Sequence, residues 1–456
     1  MRERKVNPDK IGAVKFLTWS IGGSPVAIQA VLLGFFQIYC TNALNLPAAL
    51  VGTILFATKL FDGFTDLVAG YIVDRTNTRF GKGRPYEFAI LGMWVMTWLL
   101  FSVPTQLSTV TKCIWIFVCY TLAQSVFLTL KNAAGNVYMV RAFNNTQKYI
   151  KLNSIGGILS IAVVVVFNII FPMFYGKVIN NAAGWSRLIG FITVPMIIVG
   201  MLRFFFVKEE YDVDIKSEEK MSFKDVVAVL KTNKYVYLVA LLLGLSSMVS
   251  GLNVTSYYFL YIVGNIEISG VLSIFGFGAM LCMLFFLLIL KKISTAQLVR
   301  GSLMLSIVSG IVLFLAKGNI PMLAVGGVIN GIVSLPISYL SSIFIVECAD
   351  YNEWKGIHRM EGTLSSVTNF AMKVGQAFGT LMVGMLLGLA GFNSELSTQP
   401  GSALMMIRLL YSLIPTAIYL LAAFILRFYK IDKLKPQIDE ANKKNREAAK
   451  QNESSN

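Results

Sequence analysis

A chain of 456 residues that is 55% apolar and only 14% charged, with mean hydropathy +0.66, falls well short of the roughly one-quarter charged residues of a soluble domain. That composition excludes an ordinary soluble enzyme or binding module and points to the membrane. The formal net charge of +16 would suggest nucleic acid in a soluble protein, but here the basic residues gather in loops and tails, where membrane topology explains them and no nucleic-acid partner is expected.

The charged start, MRERKVNPDK, leads into an apolar stretch without a small-residue cleavage pattern, so no cleaved signal peptide is expected. Apolar runs of the roughly 20 residues needed to span a bilayer then recur along the chain. In order they cover 13–41, 47–73, 86–106, 112–140, 153–176, 187–207, 235–263, 269–290, 297–316, 321–346, 362–390 and 403–428. Backbone groups in lipid must be satisfied within the segment, so each run is expected to be a helix. The fold class that follows is an all-α membrane protein with twelve transmembrane helices.

Lys and Arg set the orientation. Arg75, Arg79, Lys82 and Arg84, then Arg141, Lys148 and Lys151, then Lys291 and Lys292, then Lys355 and Arg359 all fall in one set of loops. Both termini and the charged segment 208–234 lie on that side, while the opposite loops hold only Lys112, Lys177, Arg187 and Lys317. The positive-inside rule puts both termini in the cytoplasm. Segment 208–234 divides the spans six and six, so the expected organisation is a six-helix bundle over 1–207, a cytoplasmic loop, a second bundle over 235–430 and a polar cytoplasmic tail over 431–456. The tail is expected to be disordered in the main, with some helix. Two bundles around a central site is a transporter plan.

Charges inside the spans carry the functional reading, because each costs about 2.5–3.5 kcal/mol at mid-membrane and persists only with a partner or a wet cavity. Lys59, Asp62 and Asp66 are spaced three and four residues apart, which puts them on one side of the second span. At 1.5 Å per residue from Ala48, Asp62 lies roughly 21 Å deep and Asp66 roughly 27 Å. Lys131 in the fourth span lies roughly 27 Å from Cys113, and Lys373 in the eleventh roughly 18 Å from Glu361, by the same rise. These depths bring two acids and two or three lysines to a similar level. A structural salt-bridge cluster is the plain alternative. Two carboxylates close enough to share a cation are what cation coupling needs, with Lys373 holding the site when the cation is absent.

Other features are read as structure. Gly375-x-x-x-Gly379 and Gly384-x-x-x-Gly388 suit close helix packing. The GGS at Gly22–Ser24 lies inside a span with no strand before it and is not a phosphate cradle. His358, the only histidine, falls in a loop, so a histidine proton relay is absent. The scattered cysteines Cys40, Cys113, Cys119, Cys282 and Cys348 fit neither a zinc site nor a disulfide framework. No cofactor is expected, and no metal beyond a transported sodium ion.

Two stretches carry a family resemblance. FDGFTDLVAGYIVDRTNTRFGKGRP, residues 61–85, resembles the second-helix signature of the glycoside–pentoside–hexuronide:cation symporters of the major facilitator superfamily, typified by melibiose permease. ADYNEWKGIHRMEGTLSSVTNFAMKVGQAFG, residues 349–379, resembles that family's signature around the tenth-to-eleventh loop. The resemblance implies that Asp62 and Asp66 hold sodium, lithium or a proton, that Lys59 matches the basic residue before them, and that Lys373 matches the eleventh-helix lysine. It also implies a cytoplasmic gate in which Asp74, Arg75, Arg79 and Arg84 face Asp350, Lys355, Arg359 and Glu361. The expected activity is sugar symport by alternating access in the cytoplasmic membrane, by a monomer.

The departures from that pattern bear on cargo. The family's sugar-binding acids align with Val26 and Lys131, a nearby aromatic with Gly135, the fifth-helix arginine with Gly156 or Gly157, and a fourth-helix threonine cation ligand with Leu128. Losing that hydroxyl favours a proton over sodium, which wants several oxygens. Lys131 in place of an acid suggests either an anionic sugar such as a hexuronide, or neutralisation of Asp62 or Asp66. Trp19, Gln29, Gln124, Asn132, Asn136, Asn253, Tyr257, Tyr258 and Asn369 remain within spans as residues that could stack on or bond to a sugar. The competing functions are transport of an amphipathic cargo such as a lysolipid on the same fold, and a substrate sensor that has lost transport. A membrane enzyme is disfavoured, because no nucleophile–base constellation or phosphate loop is present.

Overall fold

The computed structural model describes residues 11–76, 78–143, 146–211, 233–278, 289, 292–357, 359–396 and 398–454. Lys291 and His358 lie outside the described residues, as do the side chains of Asp66, Asp74, Asn136, Lys148 and Lys151. The architecture is helical, and the β-contact found among the described residues is one bridge, Thr78 to Gly81.

Nine helices among the described residues are long and apolar enough to cross a membrane, and each matches one of the expected spans. Of the other three, the second and third differ for physical reasons. The second is an unbroken helix, Ala48–Arg75, whose internal charges dilute its apolar character. The third opens as a 3₁₀ turn, Arg84–Phe88, before a short α-helix, Ala89–Leu100. The eighth is described only as far as Gly278.

Contacts divide the chain into two compact units. The first comprises residues 1–215 together with 255–273 and 383–403. Its first span is interrupted at Gly22 and Gly23, between Ala13–Ile21 and Ser24–Gly34. A Cβ on Gly22 would stand 2.4 Å from Arg203 Nε, so the GGS stretch is the passage for an arginine side chain. Segment 255–273 joins this unit through paired hydrogen bonds. The Thr41 and Tyr257 hydroxyls are 2.9 Å apart, and Asn42 Nδ2 donates to Tyr261 Oη at 2.7 Å. Segment 383–403 joins it at Gly384, where a Cβ would stand 2.4 Å from the Ala48 carbonyl oxygen.

The basic loop after the second span is moulded around one carboxylate. Lys82, Gly83 and Arg84 donate their successive backbone N–H groups to Glu209 at 3.0, 2.8 and 2.6 Å. Three convergent N–H donors make an anion-binding concavity in the backbone.

The second unit comprises residues 216–254, 274–382 and 404–456. Its core joins Lys234–Gly251, Thr295–Ala316, Ile320–Trp354 and Leu413–Ile425 around Val299, Leu303, Val333, Leu340 and Phe344. The first glycine pair of the eleventh span works here, since a Cβ on Gly375 would stand 1.9 Å from Gly244 O. The polar tail departs from the expectation of disorder. It forms a 24-residue helix, Ile431–Ser454, with Ile431, Ile438 and Asn442 buried. Apolar residues at 431, 434 and 438 recur at helical spacing, and that short stripe docks the helix against the unit's core.

Candidate functional site

The second-span helix carries Lys59 and Asp62 half-buried in the first unit, and the backbone of Asp66 continues the same helix one turn on. The neighbouring fourth span is not a uniform helix. Thr109–Thr121 is α-helical, Leu122–Leu128 is a π-helix, and Thr129–Phe143 is α-helical again. A π-turn takes one more residue than an α-turn, so it rotates everything after it relative to a straight helix. The rotation places Thr129 against the second span. Its hydroxyl reaches Asp62 Oδ1 at 3.3 Å and the Gln124 carbonyl oxygen at 3.2 Å. Asp62 thus has a hydroxyl neighbour, one residue after the Leu128 position where alignment finds none. A regular helical wheel cannot reveal this, because the π-turn has no clear sequence signature.

Lys131 is paired with Glu87. Its ammonium lies 3.0 and 3.2 Å from the two carboxylate oxygens of Glu87, with both side chains less than one-tenth exposed. Glu87 belongs to the 3₁₀ turn at the foot of the third span. It was not among the expected site residues, because it reads as the polar edge of an apolar run. Thr129 and Lys131 are two residues apart on one helix, so they project about 200° apart. The threonine serves Asp62 and the lysine serves Glu87 on the far side. Close by, the Arg203 guanidinium donates from Nε to the Trp19 carbonyl at 3.0 Å and lies 4.7 Å over the Trp19 ring.

The residues expected to meet a sugar fall into two groups. Trp19 is buried against Tyr138 and Phe143 in an apolar cluster, and Tyr257 is fully buried on Thr41 and Phe392, so both are committed to packing. Tyr258 is likewise buried. Gln29 donates through Nε2 to Thr97 Oγ1 at 2.8 Å, leaving its Oε1 without a partner among the described residues. Gln124, in the π-helix beside the site, has a buried Nε2 without a partner among them. Asn132 and Asn369 are exposed, and the side chain of Asn136 lies outside the described residues. Lys373, half-buried, belongs to the second unit.

Several of the residues expected to gate the cytoplasmic side have described neighbours within their own unit. In the first, Arg84 Nε donates to Phe204 O at 2.8 Å and Arg79 lies over the Phe80 ring, while Arg75 is exposed. In the second, Arg359 gathers Asp350, Glu353 and Glu361 at 2.6, 2.6 and 2.7 Å. Those hydrogen bonds outweigh partial burial and hold the guanidinium pKa above its ordinary value.

A family-level match described as MFS/sugar transport protein spans residues 19–433. The isoprimeverose transporter of Lactiplantibacillus pentosus is 26% identical over 418 residues, covering 89% of this chain and 85% of that protein. The glucuronide carrier protein homolog of Escherichia coli K12 is 24% identical over 419 residues, covering 87% and 88%. Among solved structures, a bacterial homolog of the human lysosomal transporter Spinster superposes with a TM-score of 0.66 at 13% identity, covering 92% of this chain and 96% of that one. That likeness speaks to the fold.

Proposed function

Because this chain belongs to the MFS/sugar transport protein family, and within it to the glycoside–pentoside–hexuronide type, we propose that it couples entry of a cation to uptake of a neutral sugar. It is a multi-pass membrane transporter and not an enzyme. The finer reading places Asp62 and Asp66 as the cation site, with Lys59 and Lys373 as the charges that balance it between cycles. It keeps twelve spans in two six-helix bundles, termini in the cytoplasm and a monomer as the working unit.

One observation carries the cation site. Asp62, inside a long apolar helix, has the Thr129 hydroxyl beside its carboxylate. A hydroxyl beside the Asp62 carboxylate adds an oxygen of the kind that sodium needs, which removes the ground for preferring a proton. The Glu87–Lys131 pair supports the choice of a neutral cargo, since the lysine already has both oxygens of a buried carboxylate. A glycoside or pentoside fits that better than a hexuronide. Gln124, whose amide nitrogen has no partner among the described residues, is the proposed sugar-bonding residue in the π-helix that precedes Thr129.

The test is charge movement in proteoliposomes offered isoprimeverose, other neutral glycosides and glucuronides, with and without sodium and at two pH values. The expected result is a current evoked by a neutral sugar, absent in Asp62→Asn. Currents evoked by glucuronides alone would overturn the neutral cargo. A current unchanged in Asp62→Asn would overturn the cation site.

A further inference from the structure

We propose that Glu87 and Lys131 form a rotational stop for the fourth span, and that they act as positioning residues for the cation site by holding Thr129 against Asp62. The inference rests on the cation-site reading above.

The fourth span changes register at Leu122–Leu128, immediately before Thr129. Relaxation of that π-turn to an α-turn would rotate the helix beyond it by about one residue's share of a turn, roughly 100°. Such a rotation carries the Thr129 hydroxyl away from Asp62. Something must therefore fix the rotation of Thr129–Phe143. The contacts of the Thr129 hydroxyl to Asp62 and to the Gln124 carbonyl, at 3.3 and 3.2 Å, are long for O–H···O hydrogen bonds and are weak fasteners. On the opposite face, Lys131 is gripped by both oxygens of Glu87 at 3.0 and 3.2 Å, and the pair is buried.

The same face is held again two turns further on. Tyr138, seven residues from Lys131 and so nearly in line with it, donates its hydroxyl towards Val207 O at 2.6 Å and lies 2.9 Å from Arg203 O. Its backbone packs so closely on Gly83 that a Cβ there would stand 2.7 Å from the Tyr138 amide nitrogen. Lys131 and Tyr138 thus bear on the stretch that runs from Gly83 through the Arg84–Phe88 turn and on Arg203–Val207. This gives the pair a task that neither a substrate contact nor a neutralising charge would require. It also accounts for a lysine at a position where the family resemblance leads one to expect an acid.

The experiment measures cation binding without any sugar, so an unknown cargo does not confuse it. Purified protein is titrated with sodium chloride against choline chloride, at pH values from 5.5 to 8, and thermal stabilisation is recorded. The variants are Glu87→Met/Lys131→Met, which replaces the pair by side chains of similar length, the reversed pair Glu87→Lys/Lys131→Glu, and Asp62→Asn. Wild type should show a saturable cation response that Asp62→Asn lacks. The double-Met variant should need at least fivefold more cation, or a correspondingly shifted pH midpoint, while its cation-free thermal midpoint stays near that of wild type. The reversed pair should return to within twofold of wild type, because it restores the stop. A wild-type cation midpoint in a folded double-Met variant overturns the proposal and leaves the cation site standing. If that variant does not fold, the reversed pair decides, and a weakened cation response in it overturns the proposal. A cation response that survives in Asp62→Asn removes the cation-site reading and this inference with it.

Discussion

Thr129 shows how one backbone irregularity can hide a side chain that stands against an acid within a span. Its hydroxyl bonds to a carboxylate, and hydrogen bonds to charged groups are worth about 1.5–3 kcal/mol. At 3.3 Å the lower end applies, so Thr129→Val should weaken cation binding by about tenfold. The half-saturating sodium concentration checks this, with sugar affinity at saturating sodium unchanged. Leu128→Thr should have no such effect, because its side chain points elsewhere on the rotated helix. The acids themselves were legible, since Asp62 and Asp66 interrupt an apolar run at helical spacing and such charges are rare in lipid. Glu87 was not legible, because an acid at the edge of an apolar run looks like a span boundary. Lys131 could be seen as buried, but the identity of its partner depends on how the third span begins, which no periodicity records.

The Ile431–Ser454 helix is a case where composition misleads about an element. Its residues are mostly polar, and an isolated helix of that kind is marginal in water. Docking stabilises it, through Ile431 and Ile438 and through a buried carboxylate in the tenth span. Glu347, only 2% exposed, accepts from Tyr429 Oη at 2.8 Å and from Lys435 Nζ at 2.9 Å. Asn442 Nδ2 adds a bond to Asp350 O at 2.9 Å. Removing one partner of a fully buried pair costs about 3–5 kcal/mol, but Lys435 is 43% exposed and water screens it, so Lys435→Met should cost about 1–2 kcal/mol. Limited proteolysis after residue 430 should accelerate in that variant. Partial burial pulls the Lys435 pKa down, but the bond to and charge of Glu347 outweigh it and hold the ammonium above its usual value. A raised amine pKa contributes stability that is fully present below about pH 10.4 and is lost as pH rises through the higher folded value. Proteolysis of wild type should therefore stay slow through neutral pH and quicken only in strong alkali, whereas Lys435→Met should be fast throughout. By contrast the eleventh span was read correctly as a packing element. Gly375, Gly379 and Gly384 meet backbone carbonyls at distances that no Cβ could share, and small residues at four-residue spacing advertise this in the sequence.

At the scale of the whole molecule, the question is what the buried charges do to the transport cycle. A coupled carrier must disfavour reorientation when only one of its two passengers is bound, and the charge state of the second span supplies a means. With no cation, the proposed cycle leaves the second-span acids to be balanced by Lys59 and Lys373, an arrangement of charges that is costly to carry through any conformation that removes water from it. Bound cation cancels part of that charge and shifts the balance between conformations. Asp62→Asn should mimic the compensated state permanently. The carrier should then still exchange sugar across the membrane but no longer use the cation gradient. The size of the effect is set by the driving force. One charge moving through about 100 mV is worth about 2.3 kcal/mol, enough to sustain roughly a fiftyfold accumulation of sugar. Wild-type proteoliposomes with an imposed potential, negative inside, should approach that ratio, while Asp62→Asn should equilibrate at a ratio of about one. Counterflow of labelled sugar against unlabelled sugar should persist in the same variant, which separates lost coupling from lost folding. Loss of counterflow together with accumulation would instead mark Asp62 as a structural residue, and the second-span charges would then be a helix lock and not a coupling site.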